Sequence, residues 1–149
     1  MSYQLPYFGE LDPETLGEYY DVDVDLAGHK LSLDLNFDEE SVPVANLDKL
    51  RLRMETLPAL LTRAIEVVRE SFRNGEDAME YITMHLDQLG SPEPEDAFAQ
   101  VHPVRIGLYP EDEEHYFTID FSIGGELTQY LIVVVFDVDE KLKYVTIES

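Results

Sequence analysis

Tyr81 and His85 stand four residues apart beside a stripe formed by Met79, Ile82, Leu86 and Leu89, a spacing that places a phenol and an imidazole on one side of a helix. The pair is the chain's candidate pocket, for a small ligand or for an enzyme whose site assembles from distant residues. The plainer reading of His85 is a hydrogen-bonded residue at the boundary of an apolar helix face. A second pattern lies at Asp21, Asp23 and Asp25, which alternate with Val22, Val24 and Leu26 and therefore share one side of a strand. Alternate aspartates also begin calcium loops, but an EF-hand needs glycine at its sixth position and a bidentate glutamate at its twelfth; the sixth position here is Leu26. The three aspartates are read as a solvated strand face and a candidate acidic interaction face, with no metal and no cofactor expected.

Other catalytic patterns fail on their own chemistry. Asp120-Phe121-Ser122-Ile123-Gly124 lacks the first glycine of a nucleophile elbow. Gly124-Gly125 is followed by no lysine that could reach a phosphate. His29, His85, His102 and His115 are scattered, without the i, i+4 pair of a zinc helix, and the loop Glu111-Asp112-Glu113-Glu114-His115 offers only loose cation binding. There is no cysteine, hence no thiolate nucleophile and no disulfide. No residue is assigned as catalytic, and the reading leans away from an enzyme.

The charge distribution says more. Thirty-two acids face ten Lys and Arg residues, for a net charge of −22. Six of those ten (Lys49, Arg51, Arg53, Arg63, Arg69 and Arg73) lie between positions 46 and 75 with only four acids, a net +2 that leaves −24 elsewhere. Such a field repels phosphate backbones, so nucleic acid is not an expected partner. The basic segment reads as a helix surface pairing with Glu66, Glu70 or acidic strand edges. A cytoplasmic location is expected from the missing cysteines, and the amino-terminal residues Met1-Ser2-Tyr3-Gln4-Leu5-Pro6 show no signal-peptide pattern. The longest apolar run, Tyr130 to Phe136, is far below the ~20 residues of a membrane helix, so no membrane is expected.

The elements that must position these groups follow from hydrophobic periodicity. Residues 18–26 and 31–37 alternate and flank Ala27-Gly28, which predicts an antiparallel hairpin. Ahead of it, Tyr7-Phe8-Gly9-Glu10-Leu11 should tuck the terminus against a sheet. From Asn46 the period becomes helical, with Pro58 expected in the first turn of a second helix ending at Arg73; residues 49–54 also alternate, so a short strand competes there. Asn74-Gly75 stops that helix and another should run to Gly90-Ser91-Pro92. Residues 91–102 read as a connector, and strands are expected at 103–109, 115–123, 127–138 and 142–148, with Gly124-Gly125 as a tight hairpin turn. The whole, residues 1–149, reads as one α+β domain: an antiparallel sheet of about six strands in the order β-β-α-α-β-β-β-β, with helices on one face. Leu61, Val68, Phe72, Ile82, Leu86, Phe121, Val133 and Val135 are its expected core.

Three stretches carry a resemblance: Tyr7-Phe8-Gly9-Glu10-Leu11 with the following Leu33-Asp34-Leu35-Asn36-Phe37-Asp38, then Tyr81-Ile82-Thr83-Met84-His85, then the last strands through Glu148-Ser149. Together they resemble an uncharacterised bacterial domain-of-unknown-function family of small acidic proteins. The resemblance implies a standalone α+β domain and supplies no catalytic residue; in style it is also similar to small acidic immunity and accessory proteins. The expected function is a non-enzymatic module presenting its acidic surface to a basic protein partner. The alternative is a ligand-binding protein or enzyme with a site built around His85 and Tyr81. A homodimer is left open, through the apolar helix stripe or an edge at 142–148.

Overall fold

The computed structural model describes residues 2–90 and 93–149; Ser91 and Pro92, on which the expected helix stop and the start of the connector fall, lie outside them. The chain begins with a small antiparallel pair, β1 (Tyr3–Leu5) and β2 (Gly9–Leu11). It sends Leu5 and Leu11 into the core. The expected hairpin follows as β3 (Tyr19–Leu26) and β4 (His29–Asn36), joined by Ala27 and Gly28, both at positive φ as a tight two-residue turn requires.

Helices come next: α1 (Val44–Glu55), α2 (Leu57–Arg73), α3 (Asp77–Met84), α4 (Leu86–Leu89) and α5 (Pro94–Phe98). Residues 49–54 are thus helical; Leu47, Leu50 and Met54 share a buried face that a strand could not form. Pro58 lies in the first turn of α2, where its missing N–H costs nothing. Asn74 and Gly75 end α2 as expected: Gly75 N–H donates to Phe72 O and Glu76 N–H to Ser71 O, a Schellman closure made by Gly75 at φ +70°. Ser71 Oγ then accepts the Ala78 N–H at 3.0 Å and fixes the start of α3.

The continuous helix expected to reach residue 89 is instead broken at His85. Its imidazole Nδ1 sits 2.6 Å from Tyr81 O, the carbonyl its own backbone N–H would use in an α-helix, and that N–H goes to Ile82 O instead. Leu86 is consequently only half-buried, against the expectation that it lies deep in the core. The connector also holds structure, because α5 buries Ala97 and stacks Phe98 on Phe72 with ring centroids 4.3 Å apart.

The last strands, β5 (His102–Leu108), β6 (Phe117–Ser122), β7 (Leu131–Phe136) and β8 (Leu142–Glu148), complete a six-stranded sheet in the order β3-β4-β5-β6-β7-β8. The hairpin and the later strands therefore share one layer, and 142–148 is an edge. The sheet is mixed, not antiparallel throughout: β4 and β5 run parallel. The helices between them carry the chain back to the end of the sheet from which β4 started, and a strand laid down after such a crossover is parallel to its predecessor. The tight turn expected at Gly124-Gly125 is likewise a longer loop, 123–130, that reaches down onto α3.

Leu33, Leu35, Ile106, Leu108, Ile119, Phe121, Ile132, Val134 and Phe136 join Leu61, Ala64, Val68, Phe72 and Ile82 of the helices in one buried cluster. Val133 and Val135 are 2% and 3% exposed but stand outside that cluster, because alternation along β7 turns them to the other side of the sheet. The helical segments pack on the first face, through contacts of α2 with β3 and β7 and of α3 with β7 and β8.

Candidate functional site

The second face of the sheet is where polar chemistry collects. Alternation in β4 turns Leu31, Leu33 and Leu35 toward the core and Ser32, Asp34 and Asn36 away from it. In β5 the same rule turns Ile106 and Leu108 inward and Arg105 and Gly107 outward, with Tyr109 next on that side. The parallel register sets Ser32 opposite Arg105 and Asp34 opposite Gly107, while β6 brings Asp120 opposite Arg105 from the other side. Arg105 thus lies between two acids, and it reaches Asp34 by leaning across Gly107. A Cβ built on Gly107 would stand 2.5 Å from Arg105 Nη2 and 2.9 Å from its Cζ. Only glycine leaves the guanidinium room there.

The pairing is bidentate. Arg105 Nε donates to Asp34 Oδ1 at 2.6 Å and Nη2 to Asp34 Oδ2 at 2.8 Å, while Nη1 donates to Asp120 Oδ2 at 3.2 Å and Nη2 also to the Tyr109 hydroxyl at 2.8 Å. Asn36 Nδ2 adds a 2.7 Å bond to Asp34 Oδ2. Side-chain exposure falls from 30% at Arg105 to 8% at Asp120 and 1% at Asp34. Burial alone would disfavour the Arg105 charge, but its bonds to Asp34 and Tyr109 and both carboxylate charges outweigh that and push its pKa up. Asp120 is also pushed up: burial dominates, with Glu148 and Asp34 adding to it, and the single bond from Arg105 does not offset them. The guanidinium is committed first to Asp34, leaving Asp120 the less compensated acid.

Beside this network a trough of about 450 Å³ crosses β5 to β8. Its floor includes Val133 and Val135, and Tyr109, Asp120, Tyr144 and Glu148 stand along it. The loop between β5 and β6 closes one side, where Asp112 Oδ1 accepts the Glu114 and His115 N–H groups and the His115 ring lies 6.0 Å from that of Tyr144.

Asp21, Asp23 and Asp25 lie on the same face as Asp34, all exposed, along the edge strand β3. Tyr81 and His85 are elsewhere, under the β7–β8 end of the sheet. Both are buried, at 0% and 2% exposure. The Tyr81 hydroxyl donates to Tyr130 O at 2.8 Å and burial pushes its pKa up. His85 Nε2 sits 3.0 Å from Thr128 Oγ1, which itself accepts the Tyr130 N–H. Nδ1–H donates to the Tyr81 carbonyl and Nε2 shares a hydrogen bond with the threonine hydroxyl, so each polar atom of the ring has a partner. The two residues pin the 123–130 loop to α3. The structure does not bring them to the aspartate row.

The basic segment is also anchored. Arg53 pairs with Asp139 at 3.4 Å, Arg63 donates to Glu140 O and lies 5.1 Å from the centre of the Phe136 ring, and Arg69 and Arg73 pair with Glu66 at 2.7 and 3.6 Å. Among the described residues no helix is long and apolar enough to cross a membrane.

The network at Arg105 was missed in the sequence, although one signal was there. Arg105 is the single Lys or Arg between Arg73 and Lys141, and it stands in Arg105-Ile106-Gly107-Leu108-Tyr109, where a mid-strand glycine marks a close approach. No protein-family model matches the chain, and neither a curated protein nor a solved structure matches it.

Proposed function

We propose that this chain is a non-enzymatic interaction module that offers the helix-free face of its sheet to a basic protein partner, in the manner of immunity or accessory proteins. The observation that carries this reading is the row Asp21, Asp23 and Asp25, exposed on an edge strand whose alternate residues Val22, Val24 and Leu26 turn to the opposite, core face. With much of the basic segment tied to internal acids, the net −22 is expressed outward, where it speeds encounter with a cationic surface. The resemblance to a family of small acidic proteins adds no reaction to this reading. Capture from cell extract at low salt is expected to retain a basic protein on the wild type. The Asp21→Asn, Asp23→Asn, Asp25→Asn triple variant, folded but three charges poorer, should lose it, and so should the wild type at higher ionic strength. Retention by the triple variant, or capture only of acidic proteins, would overturn the assignment.

A further inference from the structure

We propose that the trough across β5 to β8 is an anchor pocket for a single arginine side chain of that basic partner. The inference rests on the acidic-face reading and adds a specific receptor to it, at the end of the sheet away from the Asp21 row.

Charge decides the class of occupant. One guanidinium, Arg105, faces two buried carboxylates, and its bidentate edge is spent on Asp34. Asp120 receives one bond at Oδ2, and its Oδ1 accepts none among the described residues, although the side chain is 8% exposed. A buried carboxylate with free acceptor capacity is poised for a donor that brings positive charge. Glu148 is close enough to oppose the ionisation of Asp120, so a cation entering between them relieves both. An anion meets the reverse situation. Of the five N–H groups of Arg105, four are already donated within the network, and every other charged side chain about the pocket is an acid or the half-exposed His115.

Shape selects an organic cation and, within that class, arginine. The floor of Val133 and Val135 is apolar and suits the methylene stem of a long basic side chain. Tyr144, 43% exposed, presents a ring on which a planar guanidinium can stack, and the fork of donors matches two carboxylates better than a compact ammonium does.

The test is an amide-resonance titration of the isotopically labelled chain with N-acetyl-arginine amide, run beside its neutral isostere N-acetyl-citrulline amide. Saturable shifts at the amides of Asp120, Val133 and Tyr144 with the arginine probe alone are the expected result. Glu148→Gln, at an exposed position, and Asp120→Asn should each weaken binding by about tenfold, the loss of one charge-assisted hydrogen bond. A silent trough, equal response to citrulline, or unchanged affinity in Glu148→Gln overturns the anchor. These results leave the acidic-face reading standing so long as capture still depends on Asp21, Asp23 and Asp25. Conversely, trough shifts with capture indifferent to that row support the pocket and sink the wider face.

Discussion

Replacing Gly107 by alanine tests the geometry at the centre of the open face. In a strand this change would ordinarily stabilise by ~0.5 to 1 kcal/mol, since alanine loses less backbone freedom on folding. Here the new methyl would meet Arg105 Nη2 at 2.5 Å, Cζ at 2.9 Å and Tyr109 Cε2 at 3.1 Å. Ordinary contact requires the guanidinium to retreat by roughly 1 Å. That displacement breaks the two bonds made by Nη2, to Asp34 Oδ2 and to the Tyr109 hydroxyl. Asp34, 1% exposed, cannot be compensated by water, whereas Arg105, 30% exposed, can be in part. Charge-assisted bonds are worth about 1.5 to 3 kcal/mol each, and discounting the exposed partner leaves a loss of about 3 kcal/mol. The net cost should be about 2 to 3 kcal/mol. Urea unfolding measures it, and a double-mutant cycle assigns it. In an Arg105→Ala, Asp34→Asn background, which removes the nearest obstacle and the charge it neutralises, Gly107→Ala should cost about nothing, since only the 3.1 Å contact with Tyr109 Cε2 then opposes the strand preference for alanine. A cost below ~0.5 kcal/mol in the wild type, or the same cost in both backgrounds, would refute the claim that Gly107 exists to let Arg105 cross to Asp34.

Two further outcomes follow from buried polar groups. The Tyr116 hydroxyl is buried with no hydrogen-bond partner among the described residues, so Tyr116→Phe should raise unfolding stability by about 1 kcal/mol; a loss would mean that the hydroxyl has a solvent partner in the neighbouring cavity of about 190 Å³. The raised pKa of Asp120 means that the folded chain holds its proton above the pH at which the unfolded chain gives it up, so this group's contribution falls as pH rises from the ordinary carboxylate range through its folded value. Asp12 and Asp137, lowered by backbone N–H bonds, act oppositely and lose their contribution as pH falls through their folded values. Relative to wild type, Asp120→Asn should therefore gain stability with increasing pH across that first window, and a difference that declines with pH would refute the assignment.

Local signals were read well in the sequence wherever one residue type decides the backbone. Pro58 cannot sit inside a helix, Gly75 can reverse one, and Ala27-Gly28 flanked by alternating residues can close a hairpin; all three stand where expected. Reading failed where a side chain competes with the backbone. The stripe Met79, Ile82, Leu86, Leu89 has helical period throughout, yet the His85 imidazole takes the Tyr81 carbonyl and ends α3. Thr128 holds the other side of that ring and Tyr130 O accepts the Tyr81 hydroxyl, which draws Gly124-Gly125 into a docked loop instead of a tight turn. Periodicity carries no term for such contacts. The two that dock the loop join segments more than forty residues apart.

The missed network and the misassigned strand direction have one cause. Asp34 alternates with Leu33 and Leu35 like any outward residue of a hairpin strand, and Arg105 stands 71 residues further on, in the strand expected at 103–109. Nothing local distinguishes a parallel from an antiparallel neighbour, because both leave the period of two unchanged. The direction of β5 beside β4 alone sets Asp34 next to Gly107 and within reach of Arg105. A register slip by one residue would send Arg105 into the core cluster with Ile106 turned outward, so the buried ion network and the apolar face specify the same alignment independently. An arginine set between two buried acids is then intelligible without any reaction. It fixes the one strand pairing that no hairpin turn can enforce, and in doing so it leaves Asp120 with one oxygen to spare.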